Sequence, residues 1–447
     1  LPDDLSESHR GKDGARGPRN LPIGLLIVTR IGLFAHAVNY TVFLFDSSAN
    51  CKQDKKTSLG YNWVYINHEE YSDFVMTDLM HSELPQVIQA FHNCGLYKGA
   101  QPYGMGHIND TFKVYFEDCD GVEQCYLMQR INHHVFKQPV LVMENIEQVT
   151  DHLRKKISAR GGDPSRESLN LIKTPEGKSW VQTENGSYWR VYHFIDGACS
   201  YQIPEKSEHI YNAGLAFGNF IGLLDDFSTT HLAETIPGFH NTRQRYETFL
   251  QILEVDAHNR AEASKVEVEF LLQRANDMPV LIQGLEQGVL PERVTHNDTK
   301  FNNVMLDTET GKAICVVDLD TVMPGLALYD YGDAIRSITN TGEEDEPDLS
   351  KVHFNLDSFR IFTDGYAAAT REILTEKEIE LLPFSAKLIT MEIGMRFLTD
   401  HLDGDHYFKV HHPGHNLDRC RTQFRLVEEM EAQMDTMTQI VNLFYRG

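Results

Sequence analysis

The sequence predicts an α+β chain in two lobes, a small β-rich lobe followed by a larger, mainly helical one. Three observations predict it. Residues 103–131 and 188–195 alternate apolar and polar side chains between turn-forming clusters, the period of strands. Beyond residue 196 the apolar residues recur at helical spacing. The length, 447 residues with 41% hydrophobic and 24% charged side chains, is that of a globular chain with room for two or three domains of roughly 150 residues each.

The first 75 or so residues stand apart. Residues 1–20 are polar and rich in Gly and Arg, and residues 21–45 are apolar. Arg30, His36 and Asn39 argue against a membrane span, since a charge at mid-bilayer costs about 2.5–3.5 kcal/mol, and no small-residue cleavage site follows. We expect an upstream extension or a gene-model artefact over residues 1–79, with Met76 or Met80 as internal starts.

Strands are expected at Thr111–Phe116, Tyr126–Ile131 and 188–195 (YWRVYHFI), the last broken by Asp196-Gly197. The β-rich lobe then covers 80–195 and the helical lobe 196–447. Three helical faces mark the latter: Ile210, Ala213, Phe217, Phe220, Ile221 and Leu224; Leu382, Ala386, Ile389, Ile393 and Phe397; and a stripe from Phe424 through Met430, Met434 and Met437 to Phe444, which reads as core packing. The acidic run 343–348 reads as a solvated loop.

Charge narrows the function classes. With 41 Lys+Arg against 65 Asp+Glu the chain carries a formal −24, so it has no net basic field to recruit nucleic acid or an anionic membrane. A phosphorylated small ligand stays open, because a bound Mg²⁺ supplies positive charge locally. Seven scattered cysteines, none in C-x-x-C, predict a reduced, cytoplasmic chain.

Residues 294–333, VTHNDTKFNNVMLDTETGKAICVVDLDTVMPGLALYDYGD, carry the chemistry. Val304–Leu306 and Ala313–Val317 are short apolar strands around a turn-forming DTETGK, a β-hairpin. With the turn near Thr310-Gly311, positions summing to about 621 face each other, which sets Asn303 opposite Asp318 at the open end. An amide oxygen and a carboxylate there suit Mg²⁺, which takes one or two protein carboxylates and completes its shell with water and phosphates. Asp298, in the loop before, is placed to accept a hydroxyl proton, and Lys300 to reach a transferring phosphate as a point charge. Alternation puts Asp320 on the face of Asp318 as a rival ligand. Asp330 and Asp333 read as braces of the loop, and His296 as a buried scaffold residue.

The spacing His296-x-Asp298-x-Lys300-x-x-Asn303, followed by Asp318, resembles the kinase catalytic loop and its metal-binding Asp. The segment is similar to the aminoglycoside phosphotransferase/choline kinase-like superfamily, with DLD in place of DFG. More closely, THNDTKFNNVMLD, VVDLDTVMPG, YDYGDAIRS, YGMGHINDTF (103–112), QRIN (129–132), RFLTD (396–400) and DGDHYFK (403–409) resemble N-acetylhexosamine 1-kinases. The resemblance spans roughly residues 80–447. It implies a two-lobed protein-kinase-like fold binding ATP between the lobes, and transfer of a phosphoryl group to the anomeric hydroxyl of a sugar.

It also implicates further residues. Gly104 and Gly106 would form a nucleotide-covering turn, although Asn109 stands where a third Gly would complete G-x-G-x-x-G. Arg130 occupies the place of a phosphate-pairing Lys, with Glu144 or Glu147 of the following helix to orient it. Tyr192–Ile195 resembles the inter-lobe hinge. His107, Asn109, Arg396 and Tyr407 are implied as sugar contacts. The His run His401, His406, His411, His412 and His415 has no regular spacing for zinc. The alternative functions are phosphorylation of another small alcohol, such as an aminoglycoside or amino alcohol, and non-catalytic nucleotide binding by a pseudokinase.

Overall fold

The computed structural model describes residues 82–104 and 108–447, and three short strands nearer the N-terminus. Those strands, β1 (Leu25–Leu26), β2 (Tyr40–Leu44) and β3 (Val64–Ile66), form an antiparallel sheet in the order β1-β2-β3. They belong to a unit that ends at Val75 and is separate from the one that starts at Met76. The rest of the predicted extension, with Met76 and Met80, lies outside the described residues. Among the described residues no helix is long and apolar enough to cross a membrane.

The second unit opens with α1 (Leu84–Ala90), followed by strands β4 (Leu96–Pro102), β5 (Asp110–Glu117) and β6 (Glu123–Ile131), helix α2 (Pro139–Ala159), and strands β7 (Trp180–Gln182) and β8 (Tyr188–His193). The strands make one antiparallel sheet, β4-β5-β6-β8-β7. Alternation works as expected: Phe112, Val114 and Phe116 are fully buried on one face of β5, and Phe112 pairs across to Met128, which pairs to Val191. Glu83, just before α1, accepts the Trp189 indole N–H at 2.9 Å, tying that helix to the sheet. A buried stripe along α2, from Val142 through Ile146 and Val149 to Ile157, joins Tyr192, Phe220, Cys315, Leu319 and Val322 in a single apolar cluster. This cluster fixes the sheet against the segments that carry the site.

The helical region comprises β9 (Ala198–Cys199), α3 (Ser207–Leu223), α4 (Thr242–Val255), α5 (Lys265–Leu272), α6 (Val280–Glu286), strands β10 (Arg293–Thr295), β11 (Val304–Asp307), β12 (Ala313–Val316) and β13 (Met323–Gly325), then α7 (Ala327–Thr339), α8 (Leu356–Thr370), α9 (Glu376–Leu402) and α10 (His415–Arg446). The predicted apolar faces fall on α3, α9 and α10 and pack largely into one core, with Met430 and Met437 fully buried, while Phe220 and Leu224 at the end of α3 join the α2 cluster. Helices α3 and α8 touch through glycines. A Cβ on Gly365 would stand 2.1 Å from the Tyr211 carbonyl oxygen, and one on Gly214 would stand 2.3 Å from that of Phe362. The capping box of α9 pairs Thr375 with Glu378.

The acidic run is exposed but more tied down than a solvated loop. Glu344 pairs with Arg336 at 3.2 Å, Asp345 with His415 at 2.7 Å and Glu346 with Lys351 at 3.1 Å. The six described cysteines are free thiols.

Candidate active site

The hairpin β11–β12 forms, one residue out of the expected register. Val304 pairs with Val316 and Met305 with Cys315, but Leu306 pairs with Ala313, so Ile314 is an extra residue. The turn closes through Asp307 N–H to the Lys312 carbonyl (2.8 Å) and Gly311 N–H to the Asp307 carbonyl (2.9 Å), with Gly311 at φ 68°. Asn303 therefore faces Val317, whose N–H donates to the Asn303 carbonyl at 2.9 Å. Asp318 comes one residue later, in the left-handed conformation (φ 62°, ψ 57°), and leads into a single 3-10 turn over Leu319–Thr321. The expected extended strand through Asp318 and Asp320 is thus replaced by a sharp turn, so strand alternation does not set where the two side chains point.

The loop before the hairpin is locked by buried polar contacts. His296 is fully buried, edge-on to Phe217 and Phe220. Its Nε2 lies 2.8 Å from the Val317 carbonyl, and its Nδ1 accepts the Asp298 N–H at 3.3 Å. Those two partners define the neutral, Nε2-protonated ring. Asp330, at the start of α7, accepts the His296 and Asn297 N–H groups at 2.8 and 2.7 Å. The Thr299 hydroxyl donates to the Asp330 carbonyl at 2.6 Å. Both His296 and Asp330 hold the loop in shape.

Asp298 Oδ1 lies 2.9 Å from Lys300 Nζ. Burial alone would raise the Asp298 carboxyl, but the Lys300 ammonium outweighs it and, with Arg336, holds the group below the ordinary aspartate range. Asn303 donates its side-chain N–H to the Asp298 carbonyl (2.7 Å) and toward Asp298 Oδ2 (3.4 Å). The side chain of Asp318 is open to solvent, yet the protein crowded around it and the carboxylates of Asp320 and Asp298 push its carboxyl up to about 6.

Asp320 has other partners. One oxygen is ion-paired with Arg190 and the other accepts the Asn109 side-chain N–H at 2.6 Å. Arg190 also donates to Gln129 Oε1 at 3.1 Å, so these two residues share a sheet face. Arg130, next along β6, lies on the opposite face, paired with Asp110 at 2.5 Å. Arg190, which sequence reading passed over, is the arginine that joins the sheet to the hairpin. The visible signal was a lone charge inside the apolar strand YWRVYHFI. Neither α2 glutamate reaches Arg130: Glu147 pairs with Lys173 and Glu144 is exposed. From α2, Asn145 bonds to the Ala233 and Val322 carbonyls at 2.8 and 3.0 Å, and Met143 Sδ lies 3.9 Å from Arg190 Nη1.

Gly104 has a positive φ of 86° and open space around it, as a turn needs. Gly106 and His107 lie outside the described residues. Asn109 spends its side chain on Asp320 and, at 3.0 Å, on the Asn132 N–H, which sets it beside the hairpin end. In the hinge segment, Phe194 N–H is taken by the Cys125 carbonyl at 3.1 Å.

Arg396 and Tyr407 come together at a 160 Å³ pocket between α4 and α9, which Arg245, Thr248, Thr399 and Asp403 also line. Asp400 accepts the backbone N–H groups of His406, Tyr407 and Phe408 at 2.9, 2.7 and 2.9 Å, fixing the loop that carries Tyr407. The Arg396 side chain is only 11% exposed and lies against the rings of Phe239, Phe408 and Tyr407.

The sequence profile of the phosphotransferase enzyme family matches residues 100–365. The chain belongs to this family. Among solved structures, an amicoumacin kinase in complex with AMP-PNP and Ca²⁺ aligns with this phosphotransferase at a TM-score of 0.50 and 12% identity, covering 82% of this chain and 96% of that one. A choline kinase from Cryptosporidium parvum Iowa II aligns at 0.46 and 14% identity over 84% of this chain and 100% of that one. A microcompartment-associated aminopropanol kinase aligns at 0.46 and 12% identity over 82% and 98%. The family match and the amicoumacin kinase alignment give the phosphotransferase a two-lobed, kinase-like α+β fold, with the β-sheet region first and the larger helical region after it.

The donor set at the hairpin end fits a hard divalent cation. Among the described residues no group of three or more His, Cys, Asp or Glu side chains could hold a metal by itself, and Mg²⁺ does not require one. Asn303 uses its amide N–H on Asp298, which leaves Oδ1 as the atom that could meet a cation. Asp318 offers an open carboxylate crowded by negative charge. Asp320 is a poor ligand, because Arg190 and Asn109 occupy both of its oxygens.

Proposed function

We propose that this phosphotransferase moves the γ-phosphoryl group of ATP to the anomeric hydroxyl of an N-acetylhexosamine, N-acetylglucosamine or N-acetylgalactosamine, giving the sugar 1-phosphate and ADP. The observation that carries the reading is the convergence of Asp298, Asn303 and Asp318 at one end of a hairpin. Sequence motifs shared with N-acetylhexosamine 1-kinases support the choice of acceptor. ATP would lie between the lobes at 80–195 and 196–447, with the turn at Gly104 over it.

Each residue then has a task. Asn303 Oδ1 and Asp318 would hold Mg²⁺, which when bound neutralises charge on the phosphates. Asp298, kept ionised by Lys300, orients the acceptor hydroxyl and takes its proton; a hemiacetal hydroxyl is more acidic than an ordinary alcohol and asks less of a weak base. Lys300, whose side chain is 45% exposed, turns from Asp298 to the transferring phosphoryl group. Alignment and charge stabilisation supply most of the rate. Arg396 and Tyr407 would bind the sugar; Asn109 would reach it only after leaving Asp320 and Asn132, and His107 is carried over from the resemblance alone. Arg130, on the far face of the sheet, would act on phosphate only after leaving Asp110. The sparse, scattered cysteines, none in C-x-x-C, favour a reducing, cytoplasmic setting.

A cationic amino alcohol or aminoglycoside is the competing acceptor. The exposed Asp403 on the pocket wall favours it; Arg245 and Arg396 on the same wall oppose it. The test is ADP release with ATP, Mg²⁺ and a panel of N-acetylhexosamines, plain hexoses, aminoglycosides and amino alcohols, with the phosphorylated atom assigned by NMR. We expect phosphate on C1 of N-acetylglucosamine or N-acetylgalactosamine. Turnover of the amines alone would replace the acceptor, and no turnover at all would favour a non-catalytic nucleotide binder.

A further inference from the structure

Between the catalytic loop and the Arg396 pocket lies a buried charged pair with no role in the chemistry described so far. His240 precedes α4 and Glu392 sits mid-way along α9; their side chains are 3% and 0% exposed. His240 Nδ1 is 3.0 Å from Glu392 Oε2, and Nε2 is 3.3 Å from the carbonyl oxygen of Asn297, the residue before Asp298. A carboxylate and a carbonyl both only accept. Each ring nitrogen must therefore donate, and the ring is an imidazolium.

The other carboxylate oxygen is unfinished. Glu392 Oε1 is buried and has no hydrogen-bond partner. The Arg396 guanidinium lies 3.9 Å from it, beyond hydrogen-bond range. Leaving a buried carboxylate oxygen short of a donor is costly, so any shift of Arg396 toward Glu392 is rewarded. Phe239, next to His240 in the chain, packs on Arg396, and its carbonyl takes two N–H groups of Arg245 at 3.3 and 2.9 Å. One connected path thus runs from pocket wall to catalytic loop.

We propose that His240 and Glu392 are positioning residues that couple occupancy of the Arg396 pocket to the setting of the catalytic loop through Asn297. This rests on the acceptor site proposed above. An acceptor that draws Arg396 onto Glu392 Oε1 completes the carboxylate, tightens the grip on His240 and fixes the Asn297 carbonyl from which Asp298 projects. The other groups facing the ring are Tyr329, with ring centres 5.2 Å apart, Asp333 and Asp330, whose carboxylates favour the charged ring, and Arg396, which opposes it; Arg245 faces Glu392.

Two measurements test this. The first needs no acceptor: ¹⁵N NMR of histidine-labelled, full-length protein with Mg²⁺ and AMP-PNP at neutral pH. Protonation of both His240 nitrogens is expected; a neutral ring with one protonated nitrogen overturns the proposal. The second compares His240→Gln and Glu392→Gln, after circular dichroism and melting show them folded. Each should lower kcat/KM for the acceptor by about 10²-fold, the scale of a small misplacement at the reacting centre, and leave KM for ATP within about twofold. His240→Gln should also remove the fall of kcat at alkaline pH that accompanies loss of the His240 proton. Equal losses for ATP and acceptor, or an unchanged pH profile, contradict the coupling. If no N-acetylhexosamine turns over, the acceptor assignment fails, and the NMR result still decides the role of the pair.

Discussion

Arg190 and Asp320, 130 residues apart, form an ion pair whose side chains are 1% and 3% exposed. The pair ties β8 to the turn that follows Asp318. Burying two charges is costly, and breaking such a pair leaves the survivor uncompensated, typically at a cost of about 3–5 kcal/mol. Urea unfolding of Arg190→Met should show a loss of this size, whereas Arg190→Met/Asp320→Leu should recover most of it. A single variant as stable as wild type would mean the pair does not hold the sheet to the hairpin.

Asp298→Asn should keep the fold and ATP affinity but lower turnover by roughly 10²–10⁴-fold, the range of a positioned acid–base group. Calorimetry with AMP-PNP and a steady-state assay separate the two effects. Near-normal turnover would remove Asp298 from the base role.

Asp318→Ala and Asp320→Asn should behave differently, because only Asp318 is free to bind a cation. Partners outside the ligand shell are worth about 10–100-fold in metal affinity, so loss of Asp318 should move the Mg²⁺ dependence of kcat upward by at least that much. Asp320→Asn should chiefly cost stability, through Arg190. The same Mg²⁺ curve for wild type and Asp318→Ala would reject the ligand assignment.

The His240–Glu392 pair gives stability a pH dependence of definite sign. Burial pulls the His240 ring down, but Glu392 outweighs it and raises its proton affinity above the ordinary value of 6.5. Its contribution is complete below pH 6.5 and lost as pH rises through the folded-state value. Glu392, with burial outweighed by His240, is held below its ordinary value of 4.5, so its contribution is complete above pH 4.5 and lost as pH falls through the folded-state value. Melting curves should show stability declining on the alkaline side, with less decline in His240→Gln. An identical alkaline slope in both proteins would contradict this.

Much of the frame was legible in the sequence because it follows from period alone. The alternation in β5, β6 and β8 and the helical spacing in α3, α9 and α10 are local signals, and each element forms where they fall. The hairpin was legible too, but its register was not, since a bulge at Ile314 leaves no mark in the apolar pattern. Parity misled at Asp318, where a left-handed residue breaks the strand that alternation presumes. Arg130 drew attention by resemblance, while Arg190 did not, because its partner lies far away in the chain and only the β6–β8 register shows which arginine faces the hairpin. His240 and Glu392 were invisible for the same reason: each is unremarkable in its own helix or loop, and the meaning lies in their contact.

The account stands or falls on where a divalent cation sits. Crystals grown with Mn²⁺ and AMP-PNP should show, in an anomalous difference map at the manganese edge, a peak coordinated by Asn303 Oδ1 and the Asp318 carboxylate, with Asp298 outside the metal shell. A peak bound elsewhere, or coordinated by Asp320 in place of Asp318, would contradict it.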